Sequence, residues 1–278
     1  MKQRHVLFFC LLLSIGMQRI TWGESLSISA RGAVLMDGNT GRVLYEKEGD
    51  MPLAMASTTK IMTAVLVLEQ ADLSDTVTVG SGLEHIPEVC LHIREGEQYR
   101  LKDLLTAMML RSYNDVAVCL AEYISGSTEA FCQMMTEKAA QIGAENTVFA
   151  TPNGLDSSYT LEEHHSTAED MALIARYALE NETFREIIAT KEIIFSDLSG
   201  SRSFSVTNAD QFLSYPGALG VKTGFTNRAG HCFVGAAQRE DIYLVSTVLG
   251  SGWGSRGKEA KWTDTKKLME YGFQNYTN

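Results

Sequence analysis

Strand character comes first along the chain, over Arg31 to Met36. It breaks at Asp37-Gly38-Asn39-Thr40-Gly41, a run dense in turn formers, and resumes over Val43-Leu44-Tyr45. This pattern predicts a β-hairpin. From about Ser57 to Tyr177 the spacing turns helical: Ile61 to Leu68 is almost wholly apolar, and Leu101 to Leu110 and Val116 to Ile124 repeat at helical intervals. A helix that is apolar all round belongs in a core. Strand-like runs return at Glu192 to Phe195, Ser203 to Val206, Leu219 to Lys222, Cys232 to Ala236 and Ile242 to Leu249, and Lys258 to Tyr271 reads as a closing helix. Strands at both ends of a helical middle predict one sheet built from distant segments, with the mainly helical part inserted between them. A site is expected where the two parts meet.

The first residues follow another logic. Lys2 and Arg4 precede the apolar run Val6 to Met17, and a short polar stretch ends in Thr21-Trp22-Gly23. That run is shorter than the roughly 20 residues of a membrane-spanning helix, so residues 1–23 read as a secretory signal peptide cut before Glu24. Retention as an N-terminal anchor is the alternative, with Arg19 close to the cut. The expected mature unit is residues 24–278, a single catalytic domain. Its sheet part covers about 24–56 and 190–278 and its helical part about 57–189, with no C-terminal β-rich domain.

Composition narrows the function classes. The 278 residues are 45% hydrophobic and 21% charged, an ordinary globular balance, and the net charge of −10 argues against nucleic acid as a partner. Removal of residues 1–23 takes away three cations and no anion, leaving −13. Such a chain has no evident means of adhering to an anionic membrane, so any membrane attachment is expected through an uncleaved signal segment. Cys90, Cys119, Cys132 and Cys232 would follow the signal into an oxidising compartment, yet three of them sit in apolar runs and read as buried free thiols. No C-x-x-C pair is present, the His are scattered, and neither a metal nor an organic cofactor is expected.

Candidate chemistry begins at Ala56-Ser57-Thr58-Thr59-Lys60, where the buried helix starts. Residues three apart share a helix face, so Lys60 can reach the Ser57 hydroxyl, and burial or a neighbouring cation would depress its pKa until it can act as a base. Free N–H groups at a helix start can meet charge developing on a carbonyl oxygen. The spacing alone is weak. Ser255-Arg256-Gly257-Lys258 also fits it, and an isolated Ser57 reads equally as a helix cap. Ser112-Tyr113-Asn114 falls between two apolar helical runs, and Lys222-Thr223-Gly224 follows the strand-like Leu219-Gly220-Val221. There a cation and a hydroxyl would project from a sheet edge, and the glycine would admit a substrate backbone.

Ser-x-x-Lys on a helix, Ser-x-Asn on a loop and Lys-Thr-Gly on a strand are jointly the signature of the penicillin-recognising serine acyl-enzymes. The chain resembles the D-alanyl-D-alanine carboxypeptidases, the low-molecular-mass penicillin-binding proteins of peptidase family S11. The resemblance runs from Gly32-Ala33-Val34-Leu35-Met36-Asp37 to Lys267-Leu268-Met269-Glu270-Tyr271-Gly272-Phe273. It includes Thr151-Pro152-Asn153-Gly154-Leu155-Asp156, Ser166-Thr167-Ala168-Glu169-Asp170-Met171-Ala172 and Gly220-Val221-Lys222-Thr223-Gly224-Phe225-Thr226. It implies an α/β (α+β) fold of the β-lactamase and transpeptidase type, mainly antiparallel sheet flanked by helices. It also implies removal of the terminal D-alanine from peptidoglycan stem peptides, with β-lactam antibiotics as covalent inhibitors, in or outside the bacterial cell envelope.

By the same resemblance Ser57 is the nucleophile, Lys60 the general base and Ser112 a proton relay, while Asn114 holds the substrate amide and orients Lys60. Lys222, Thr223 and Gly224 bind the substrate, Lys222 and Thr223 at its terminal carboxylate. The backbone N–H groups of Ser57 and Phe225 form the oxyanion hole. Three positions depart from the family pattern. Tyr113 stands where glycine is frequent, Phe225 where histidine or tyrosine is, and Lys261-Trp262 where an arginine precedes an aromatic; Lys261 is accordingly left out of the expected site. A β-lactamase would need an acid such as Glu162 or Glu163 positioned for deacylation, and a silent homologue would only bind the peptide. Gly252-Trp253-Gly254-Ser255-Arg256-Gly257 matches a dinucleotide fingerprint, but no further strand follows it to complete such a fold.

Overall fold

The computed structural model describes residues 26–276, so the expected signal peptide and its cleavage lie outside the described residues. Strands β1 (Gly32–Asp37) and β2 (Val43–Lys47) form the expected hairpin. Its turn is held by the Asp37 carboxylate, which accepts from the N–H groups of Asn39 (2.9 Å) and Thr40 (3.2 Å). Then come α1 (Lys60–Gln70), β3 (Thr76–Thr78), β4 (Gln98–Arg100), α2 (Leu101–Arg111), α3 (Asn114–Ser125), α4 (Thr128–Ile142), α5 (Ala168–Glu180) and α6 (Glu182–Ala189). The chain ends with β5 (Glu192–Ser196), β6 (Ser203–Thr207), β7 (Ala218–Thr226), β8 (Gly230–Arg239), β9 (Ile242–Leu249) and α7 (Gly254–Asn275).

The principal sheet is antiparallel, in the order β2-β1-β9-β8-β7, so the N-terminal hairpin pairs with the last strand and β7 lies at an edge. Side chains that alternate along each strand bury against different layers. Ala33, Leu35, Phe233, Ala237, Leu244 and Val248 join Leu268 and Met269 of α7 in one core; Val34, Met36, Val234, Ala236, Val245 and Leu249 join the helical core on the other face. Helices therefore cover the sheet on both sides.

Two details depart from the sequence reading. Strands β5 and β6 pair only with each other, because each buries few residues, chiefly Phe195 and Val206, and packs toward α2 rather than joining the sheet. Strands β3 and β4, three residues each, form a small ladder within the helical part, too short and polar to register as strands in the sequence. The four described cysteines are all unpaired, with Cys119, Cys132 and Cys232 buried and Cys90 half-buried. Among the described residues no helix is long and apolar enough to cross a membrane.

Candidate active site

Ser57 lies not in α1 itself but in the 3-10 turn Ala56–Thr59 that leads into it, and Ala56 takes a positive φ of 51° to enter that turn. Thr58 and Thr59 stabilise the turn by donating to the carbonyls of Met55 (2.7 Å) and Ala56 (2.8 Å). Lys60, the first residue of α1, is fully buried. Its ammonium nitrogen lies 2.9 Å from Ser57 Oγ, 2.8 Å from Asn114 Oδ1 and 2.6 Å from the carbonyl oxygen of Asn153. Burial, and next the positive field of Lys222, hold the Lys60 pKa well below the ordinary lysine value. A neutral amine in hydrogen-bond reach of a serine hydroxyl is a base waiting for its proton. The competing pair, Ser255 and Lys258, is exposed on the first turn of α7.

The second motif closes α2 and opens α3. Ser112 caps α2 in the left-handed region (φ 68°), Tyr113 is extended, and Asn114 begins α3. This short reversal sends Asn114 Oδ1 to Lys60 and Asn114 Nδ2 to the carbonyl of Pro87 (3.2 Å). The Ser112 hydroxyl is buried without a protein partner among the described residues, free to exchange a proton. Asp115 fixes the neighbouring loop: its carboxylate accepts from the N–H groups of Leu91 (3.0 Å), His92 (2.7 Å) and Ile93 (3.3 Å).

The third motif lies inside β7 rather than at its end. Gly224 faces the nucleophile turn so closely that a Cβ there would stand 2.9 Å from the Ser57 nitrogen and 3.1 Å from that of Thr58. Gly154 makes a second tight approach: with φ +86°, its missing Cβ would fall 2.0 Å from the Ala56 carbonyl oxygen. These two contacts clamp the turn between strand and loop. Phe225 is 41% exposed and rests against the His231 ring, centroids 4.4 Å apart.

Lys222 is buried, and its ammonium donates to the Thr223 carbonyl at 3.1 Å. Burial, and then the nearby Lys261, lower its pKa to about 7, against the pull of Asp210. Lys261, which the sequence reading set aside, donates directly to the Thr223 hydroxyl from α7, and burial lowers its own pKa to about 8. Lysine at this position still brings a cation to Thr223, so it belongs with the site. Asp210 stands beside them with Oδ2 buried and unpartnered among the described residues, and burial raises its pKa to about 6. The sequence reading also missed a role for the Asn153 carbonyl. The Thr151-Pro152-Asn153-Gly154 stretch was its one visible signal, since a backbone oxygen has no residue type of its own.

The chain is similar to known proteins in both sequence and fold. A family profile described as D-alanyl-D-alanine carboxypeptidase matches residues 19–252. The chain is 34% identical to a D-alanyl-D-alanine carboxypeptidase of Bacillus subtilis, DacF, over 91% of its own length, and spans 64% of that relative. It is 33% identical to DacB2 of Mycobacterium tuberculosis, with 86% of this chain and 81% of that protein covered. Among solved structures, a point mutant of the Streptomyces K15 DD-transpeptidase superposes with a TM-score of 0.81 at 33% identity, covering 89% of this chain and 99% of that one. A D-alanyl-D-alanine carboxypeptidase of Mycobacterium tuberculosis gives 0.81 at 31% identity, over 90% and 92%.

Proposed function

This chain belongs to peptidase family S11, the D-alanyl-D-alanine carboxypeptidases, and from that membership we propose that it removes the terminal D-alanine of peptidoglycan stem peptides through an acyl-enzyme on Ser57. The observation that carries the reading is the buried Lys60 nitrogen 2.9 Å from Ser57 Oγ. Ser57 Oγ attacks the carbonyl carbon between the last two D-alanines, and its proton passes to Lys60. The carbonyl oxygen, now negative, is met by the backbone N–H groups of Ser57 and Phe225, worth about 3 kcal/mol per donor. Ser112 relays the proton to the departing D-alanine amine, and water then releases the acyl group from Ser57. Asn114 holds the acyl-side amide while it orients Lys60, and Lys222, Thr223 and Lys261 take the terminal carboxylate. β-Lactams acylate the same serine. The protein acts outside the cytoplasm on the cell wall, delivered by residues 1–23 as a signal peptide or held by them as an anchor.

The β-lactamase reading finds less support. Glu162 and Glu163 are exposed, and the Glu163 carboxylate is taken by the Thr160 N–H at 2.7 Å, away from the Ser57 and Lys60 contacts. Mass spectrometry after penicillin should reveal a long-lived adduct on Ser57, and after a D-Ala-D-Ala pentapeptide the tetrapeptide and free D-alanine. Ser57→Ala should abolish labelling by a fluorescent penicillin with the fold intact. Persistent labelling of Ser57→Ala, or rapid turnover of penicillin, would sink the assignment.

A further inference from the structure

Two buried ammonium groups converge on Thr223. Lys222 donates to its carbonyl at 3.1 Å, and Lys261 reaches across from α7 to its hydroxyl. Each lysine has lost its water, and a proton on one disfavours a proton on the other. Their other neighbours do not relieve this opposition. Lys60 of α1 feels the field of Lys222, and Lys258, one turn before Lys261 on α7, adds a further positive charge. On β8, burial holds the Cys232 thiol up at about 11, and burial, then Lys261, lowers the His231 imidazole, so neither ring nor thiol is charged at neutral pH.

Asp210 brings a carboxylate to the pair. The segment that carries it is tied down on both sides: the Asp210 N–H donates to Asn208 Oδ1 (2.9 Å), and the Asn208 amide donates to the carbonyls of Ile188 (3.0 Å) and Thr190 (2.9 Å). Between them the Ala209 N–H donates to the Leu110 carbonyl in the last turn of α2 at 3.0 Å. One oxygen of Asp210, Oδ1, caps the short turn Gln211–Ser214 by accepting from the Phe212 N–H at 2.8 Å. The other points at β7. A Cβ on Gly220 would lie 3.5 Å from Oδ2, and also 3.5 Å from Ile188 Cδ1, the apolar side chain that α6 presents here. Residues two apart on a strand share a face and stand about 7 Å apart, so Oδ2 lies on the Lys222 face of β7.

The turn does not account for this second oxygen. A cap uses one oxygen and no charge, since asparagine caps as well as aspartate does. Oδ2 is nevertheless buried, and it has no hydrogen-bond partner among the described residues. An ionised oxygen held dry in this way is costly unless a nearby positive charge offsets it. Lys222 and Lys261 are those charges, and the field of Asp210 raises both of them against the effect of burial.

Resting on the carboxypeptidase reading, we infer that Asp210 is a positioning residue, the counter-charge that keeps Lys222 and Lys261 charged together so that both meet the terminal carboxylate of the peptide. Asp210→Asn keeps the cap and removes the charge. With 13Cε-labelled lysine, assigned through Lys222→Met and Lys261→Met, both titrations should move down by about one pH unit in this variant. On a D-Ala-D-Ala peptide kcat/KM should then fall at least about tenfold at pH 8.5, through KM rather than kcat, and by less than about twofold at pH 5.5. A C-terminally amidated peptide should be turned over equally by both proteins at either pH. Asp210→Glu, which keeps the charge and weakens the cap, should retain the wild-type alkaline limb. Lysine titrations that ignore Asp210→Asn, an equal loss on both peptides at both pH values, or the same shift in Asp210→Glu would overturn the inference while the carboxypeptidase reading stands. A wild type that releases no D-alanine would remove that reading, whereas the lysine titrations would still decide whether Asp210 is the counter-charge.

Discussion

Lys222 and Lys60 are both buried, and the proposed reaction needs them in opposite protonation states. Lys60 must be neutral to take the Ser57 proton, so activity should fall as pH drops through its depressed pKa. On the same reading Lys222 and Lys261 hold the carboxylate only while charged, so their values of about 7 and about 8 predict an alkaline limb of kcat/KM in the free enzyme. Initial rates from pH 5 to 10 should therefore give a bell, whereas a C-terminally amidated peptide should be a poor substrate that lacks the alkaline limb. The same burial carries a stability cost with a definite sign. An unfolded lysine titrates near 10.4, so between about pH 7 and 10 the unfolded state binds more protons and stability rises with pH. Lys222 alone contributes about 2 kcal/mol of that rise between pH 7 and 9. Lys222→Met should flatten it in melts recorded against pH, and should lose about 100-fold in kcat/KM without losing stability at pH 7. A variant that melts lower at pH 7 would show Lys222 to be structural. Residues tied to a motif were legible in the sequence, from Ser57 and Lys60 to Thr223 and Gly224. Asn153, which offers only a backbone oxygen, was not, nor were Lys261 and Asp210, single charges that meet the site only after α7 and the segment before β7 have packed.

The elements place the nucleophile by close approach rather than by a long helix. The turn Ala56–Thr59 is pressed by β7 at Gly224 and by the 151–156 loop at Gly154, and neither approach tolerates a Cβ. The two glycines should nonetheless answer differently to alanine. Gly154→Ala combines a positive φ with a 2.0 Å backbone clash, so the loop must move and take the Asn153 carbonyl away from Lys60. It should cost about 3 kcal/mol or more in thermal melts, along with most of the activity. At Gly224 a new methyl would stand against the Ser57 N–H, so acylation by penicillin should slow by at least about 100-fold while the melting temperature changes less. Equal losses of stability in the two variants would mean that Gly224 serves packing alone. This placement was partly legible: Lys-Thr-Gly and Ser-x-Asn could be set on a strand and a loop. That β5 and β6 stand apart from the sheet could not be read, because a short strand-like run looks the same whether it pairs with the main sheet or only with its neighbour.

Across the whole molecule, the hairpin near the start completes the sheet with the last strands, and both cores share that sheet. The expectation of one sheet drawn from distant segments survives in β2-β1-β9-β8-β7. The segment leading into β1 is tied to α7 by Asp264, fully buried, whose carboxylate accepts from the N–H groups of Ser29 and Ala30 at 2.9 Å each and from the Ser29 hydroxyl at 3.1 and 3.0 Å. The same helix presents Lys261 to Thr223, so loosening α7 removes one wall of the core and the cation beside Thr223 together. Such coupling predicts a single calorimetric transition that coincides with loss of penicillin binding, rather than separate melting of the sheet and helical parts. Asp264→Ala strands the buried Ala30 N–H and removes the partly buried bonds from Ser29, and should cost about 2 kcal/mol, lowering the melting temperature by roughly 4–8 °C. The transition should stay single, and at 25 °C, below the melt, acylation of Ser57 should persist because the turn Ala56–Thr59 and Lys60 belong to the other core. Two resolved transitions in either protein would mean that α7 and its core fold as a separate unit, and the shared sheet would then not be what binds the molecule together.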